Sequence, residues 1–131
     1  MATLFSKIAA GEIPSYQIAE NEEFYAFLDI HPVTKGHTLV IPKAETDYIF
    51  DMDDETLGRM MIYAKKIAIA IKKAIPCTRI GVAVVGLEVP HAHIHLIPIV
   101  QESDMLFGKR KLKLSIEEFK TVADNVRQYL D

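Results

Sequence analysis

His91-Ala92-His93-Ile94-His95-Leu96-Ile97-Pro98 alternates imidazoles with apolar side chains. In an extended strand successive side chains point to opposite faces. His91, His93 and His95 therefore project from one side, and Ala92, Ile94 and Leu96 from the other. The apolar side belongs in a core. A row of imidazoles has no packing purpose that β-branched residues would not serve better. The stretch predicts a strand over 89–100 with one buried face and one chemical face. Just upstream, the flat apolar run 80–85 predicts another strand, with Gly86 to Glu88 as a tight connection.

Working outward, a short helix is expected near 3–10, ended by Gly11. Strands are expected at 16–19, 24–30 and 37–41, separated by Asn21-Glu22 and by the turn composition of 32–36. Asp51, Asp53 and Asp54 supply capping oxygens and negative charge for a helix start. Leu57, Met60, Met61, Ala64, Ile67, Ala68, Ile71 and Ile75 then recur at three- and four-residue steps up to Pro76. That is one long amphipathic helix, with Lys65, Lys66, Lys72 and Lys73 as its solvated face. Residues 101–108 read as irregular. The basic run Lys109-Arg110-Lys111-Leu112-Lys113 reads as solvated in a net acidic chain. Ser115-Ile116-Glu117-Glu118 fits a capping box that opens a terminal helix, with Phe119, Val122, Ala123, Val126 and Leu130 on one face. The expectation is an α+β fold on an antiparallel sheet.

The chain has 131 residues, half of them hydrophobic and a quarter charged, which suits one domain with its own core. A net charge of −3 gives no general reason to expect nucleic acid or an anionic membrane as partner. The single cysteine, Cys77, fits a reducing compartment and follows Pro76 with no patterned partner. No segment reads as a signal peptide or a membrane span, so a cytoplasmic protein is expected.

Two chemistries suit a histidine row. Zinc binds imidazole at about 2.0–2.1 Å, but His91 and His95 on a regular strand stand about 13 Å apart at roughly 3.3 Å per residue. No second cysteine completes a site, so no metal or other cofactor is expected. The other chemistry is nucleophilic attack at phosphorus. Neutral imidazole is available near pH 7, and it forms a reactive phosphorus–nitrogen bond that water can cleave. Flanking imidazoles then donate hydrogen bonds to the phosphate oxygens.

The His-x-His-x-His stretch resembles the signature of the histidine-triad family of nucleotide hydrolases and transferases. Residues 4–15 (LFSKIAAGEIPS), 27–32 (FLDIHP) and 36–43 (GHTLVIPK) resemble three further blocks of that family, in order. Residues 99–131 carry no such likeness and read as a family-variable extension. The resemblance implies a five-stranded antiparallel sheet with one long central helix, and a homodimer. It implies His93 as nucleophile, with His91 and His95 holding its tautomer and contacting phosphate, and His37 as the fourth active-site histidine. Asp29 matches the carboxylate that accepts the ribose hydroxyls. Phe5, Ile8, Phe27 and Ile30 fall where the base pocket is lined.

One block departs from the family. Val84 to Pro90 is shorter than the usual phosphate loop, Val85 stands at an expected Asn, and Leu87-Glu88 replaces Gln and a hydroxyl residue. Glu88 and Val89 remain candidate nucleotide contacts there. The implied activity is hydrolysis of a purine nucleoside 5′-phosphoramidate or a related nucleoside monophosphate ester. Alternatives are hydrolysis of dinucleoside polyphosphates, a non-catalytic nucleotide-binding module, and a zinc-binding interaction domain.

Overall fold

In the computed structural model, which describes residues 2–108 and 111–130, five strands form one antiparallel sheet. They are β1 (Gln17–Glu20), β2 (Phe24–Leu28), β3 (Thr38–Pro42), β4 (Arg79–Ala83) and β5 (Ile94–Ile99), in the order β1-β2-β3-β5-β4. Three helices, α1 (Leu4–Ala9), α2 (Asp54–Ala74) and α3 (Ile116–Arg127), accompany single 3₁₀ turns at Ile49–Asp51 and Glu102–Met105. The expected α+β class is the observed one.

Register decides what each face carries. Phe27 lies opposite Leu39, and Leu39 opposite His95. Odd-numbered residues of the three central strands therefore share one face and even-numbered residues the other. Phe24, Ala26 and Leu28, Val40, and Ile94 and Leu96 form a core with Met60, Ala64, Ile67 and Ile71 of α2 and Phe119, Val122 and Val126 of α3. Tyr25, Phe27, Leu39 and Ile41 form a second core with Phe5 and Ile8 of α1. All five positions of β2 and of β3 are buried, as expected of strands covered on both sides.

Helix α2 starts where Asp53 accepts the Thr56 N–H, and carries Asp54 and Glu55 in its first turn and Lys72 and Lys73 in its last. At 1.5 Å per residue its 21 residues run about 32 Å, across the sheet. Met61, read as core, is 49% exposed, because it lies one residue off the Met60–Ala64–Ile67–Ile71 stripe and shares the face of the exposed Lys65. Helix α3 opens on the expected box, Ser115 with Glu118. Tyr16 stacks on Phe119 at 4.7 Å and ties α3 to the β1 side of the sheet. No helix of the described residues is long and apolar enough to cross a membrane.

Several strand boundaries differ from the sequence reading, among them the end of β2 at Leu28 rather than at residue 30. The histidine strand begins at Ile94 rather than at residue 89. The Ala92 N–H donates to the Thr46 carbonyl at 2.6 Å and the His91 N–H to the Val89 carbonyl at 2.8 Å, so neither joins the ladder. The upstream strand ends at Ala83, and Val84 and Val85 are exposed beyond it. Alternation nonetheless persists through the irregular part: Ala92 packs in the α2–α3 core, while His91 and His93 face α1.

Candidate active site

The same-face rule gathers Asp29, His37, His91, His93 and His95, all at odd positions, on the side of the sheet that carries α1. Four of the protein's five histidines are buried here, with His91 and His37 almost completely enclosed. Phe5 lies edge-on to His93 at 5.0 Å, and His93 stands 4.9 Å from His95. Phe107 closes the far end of the row, 4.7 Å from His95.

Partners fix the proton on each ring, because a carbonyl oxygen can only accept and a backbone N–H can only donate. The Pro42 carbonyl takes the Nε2–H of His91 at 2.7 Å. His91 Nδ1 is therefore an acceptor, and it takes the hydroxyl proton of Thr3 at 2.7 Å. The His91 carbonyl takes the Nδ1–H of His93 at 2.7 Å. His93 is left with a lone pair on Nε2. The Val33 N–H donates to His37 Nδ1 at 3.0 Å, so His37 carries its proton on Nε2 and gives it to His95 Nδ1 at 2.9 Å. His95 is left with a proton on Nε2. One ring thus presents an electron pair and its neighbour a donor.

Burial holds His37, His93 and His95 neutral. It pushes His37 down to about 3 and His95 to about 4, with neighbouring positive charge adding to the effect. His93 is lowered by burial too, against the opposing pull of the His91 carbonyl and of the Asp29 and Glu88 charges. Asp29 is raised by burial, offset by the His31 N–H that donates to it at 2.8 Å. Its Oδ2 stands 3.6 Å from His37 Nε2.

Phe5, Ile8 and Phe27 pack in one cluster, with Val89 against it. Phe5 meets Phe27 edge-on at 5.5 Å. Ile30 is not among them. β2 stops at Leu28, and Ile30, 57% exposed, lines a groove with Pro14, Ile116 and Lys120 near α3. Glu88 is exposed, with its charge felt at His93. His31 is an exposed turn residue.

Two contributors escaped the sequence reading. Thr3 caps α1 in a box with Ser6, and that Thr-x-x-Ser spacing was visible, but not its reach to His91. Phe107 stands in an irregular segment, where no pattern marks it.

Asp29, His37 and His95 bring ligand-type atoms within 4.8 Å of one another. The hydrogen bonds oppose a cation there. To ligate through Nε2, neutral His37 would have to move its proton to Nδ1, which faces the Val33 N–H at 3.0 Å. Two donors would then meet inside the core.

A buried row of imidazoles, one of them with a basic nitrogen left unbonded among the described residues, beside an apolar cluster and a carboxyl group, defines a histidine-based site on an antiparallel sheet. Residues 10–102 match the HIT domain. The chain is 33% identical over 128 residues to an adenosine 5′-monophosphoramidase of Schizosaccharomyces pombe, with 96% of each chain covered. Its fold aligns with a Hit-like protein of Bartonella henselae described as involved in cell-cycle regulation, at TM-score 0.83 and 34% identity, covering 98% of this chain and 96% of that one. A zinc-bound histidine triad family protein of Mycobacterium smegmatis aligns at TM-score 0.81 and 30% identity, covering 98% and 93%. The chain belongs to the HIT, or histidine triad, family.

Proposed function

We propose that this chain is a nucleotide-binding hydrolase that cleaves a purine nucleoside 5′-phosphoramidate, or a related nucleoside monophosphate derivative, through a nucleotidyl-His93 intermediate. One observation carries the reading: the 2.7 Å bond from His93 Nδ1–H to the His91 carbonyl, which leaves Nε2 as the basic atom. In the proposed reaction Nε2 attacks the α-phosphorus and the bond to the leaving nitrogen breaks as that nitrogen takes a proton from solvent. The imidazole becomes positively charged, and the His91 carbonyl stabilises its Nδ1–H. Water then attacks phosphorus and releases His93. His95 Nε2–H donates to a non-bridging oxygen, and His37 holds His95 in that tautomer. Asp29 receives the ribose hydroxyls and the Phe5–Ile8–Phe27 cluster the base.

The reading includes a homodimer, supported by the outer edge of β4, where Val82 is half exposed and, among the described residues, no further strand pairs. A cytoplasmic location is supported by the lone Cys77.

The test is AMP release from adenosine 5′-phosphoramidate by wild type and His93→Ala, with EDTA present and diadenosine tetraphosphate offered alongside. Turnover by wild type that survives the chelator and is lost in the variant, with nucleotide binding retained, is expected. Loss of wild-type turnover in EDTA would reject the metal-free mechanism, and turnover of neither substrate would reject the hydrolase.

A further inference from the structure

The segment after β5 is built onto the site. Met105 packs on Gly81 of β4, its sulfur 2.5 Å from where a Cβ there would stand. Two residues later Phe107 reaches His95 at 4.7 Å and His37 at 6.2 Å. Lys111 folds back over that ring, its Nζ 5.2 Å from the centroid. The Leu112 N–H then donates to the Pro32 carbonyl at 2.9 Å, pinning the strap to the turn between β2 and β3. Lys109 and Arg110 of the basic run lie outside the described residues. Lys111 departs from the solvated reading: it is half-buried, and its charge acts on Asp29, His37 and His95 together.

Charge balance gives this placement a purpose. A nucleoside phosphate derivative brings negative charge into a site where His37, His93 and His95 are held neutral. Among the described residues, the carboxyl groups acting on His93 are Asp29 and Glu88. An anion taken out of water needs a counter-charge. The connection Gly86-Leu87-Glu88-Val89 carries no cationic side chain, and its one charged residue is Glu88.

We infer that Lys111, held against Phe107, is a phosphate-binding residue that brings a positive charge to the site. The inference rests on the nucleotide reading above and adds a residue from the C-terminal strap to it. Phe107 is the positioning residue: it holds the ammonium beside the His37–His95 end of the row.

Calorimetric titration of the full chain with AMP and with adenosine tests this in wild type, Lys111→Met and Lys111→Arg. Adenosine has the same base and ribose but no phosphate. The expected result is about tenfold weaker AMP binding by Lys111→Met, equivalent to one lost charge contact. Adenosine affinity stays unchanged, arginine restores AMP binding, and added salt weakens AMP binding more in wild type than in Lys111→Met. An equal loss for both ligands would assign Lys111 to the support of Asp29 or of the fold, and no loss would leave it outside the site; either overturns the inference. A wild-type chain that binds neither ligand would overturn the nucleotide reading itself.

Discussion

His91 and His93 lie two residues apart, face the same helix and are both closed to solvent, yet the fold uses them in opposite ways. His91 commits both ring nitrogens to the protein, one to the Pro42 carbonyl and one to the Thr3 hydroxyl. His93 commits one, to the carbonyl of His91 itself. The difference is which nitrogen remains unbonded, and exposure does not reveal it. His91 behaves as a buried polar strut whose carbonyl sets the tautomer of its neighbour. His93 is the ring with something left to give.

Alanine at each position should break the pair in two directions. His93→Ala should lower turnover by roughly 10³-fold or more, since it removes the proposed nucleophile, with the melting temperature little changed. His91→Ala should instead destabilise the fold by about 2–5 kcal/mol, because it leaves a cavity and two buried partners unpaired. Turnover should fall as well, through disorder of the carbonyl that holds His93. Urea unfolding beside steady-state rates separates the two. A His91→Ala protein as stable as wild type would contradict the strut.

Acidity offers a gentler probe. Burial depresses His37 and His95, to about 3 and about 4, from an unfolded value near 6.5. Between those values the unfolded chain binds more protons than the folded one. Stability from these groups is therefore complete above about pH 6.5 and falls as pH drops towards 4 and then 3. Asp29, raised by burial, works in the opposite sense, its ionisation costing stability as pH rises. Urea midpoints should decline from pH 7 to pH 5, and His95→Gln should flatten that decline. A flat wild-type profile would mean that the rings are not held neutral.

The smallest expected effect is at Thr3. Thr3→Val keeps the shape but loses both the α1 cap and the proton given to His91, and should cost about 1 kcal/mol. Thr3→Ser should recover most of it. Equal stability of the valine and serine variants would remove Thr3 from the account.

Much of this arrangement was legible because it follows from period-two geometry. Once 24–28, 38–42 and 94–99 are antiparallel neighbours, the odd positions must share a face, and Asp29, His37, His93 and His95 come together without further information. The ends of α2 and α3 were equally readable, since Asp53 and Ser115 act locally. What escaped depends on distant partners. Residue 92 leaves the strand because Thr46, far away in sequence, offers a carbonyl. Ile30 was placed by a block likeness, but the strand that would have aimed it at the Phe5–Ile8–Phe27 cluster ends at Leu28. Phe107 and Lys111 reach the histidines through an irregular strap seated on Gly81, and neither periodicity nor composition encodes that contact.

The central claim is a proton assignment, and it can be read directly. Long-range ¹H–¹⁵N correlation on the ¹⁵N-histidine-labelled chain at pH 7 reports the tautomer of each ring. Neutral His93 protonated at Nδ1, with His91, His37 and His95 protonated at Nε2, is the predicted pattern. His93 found charged, or carrying its proton on Nε2, would leave no nucleophilic nitrogen where the mechanism needs one and would contradict the account.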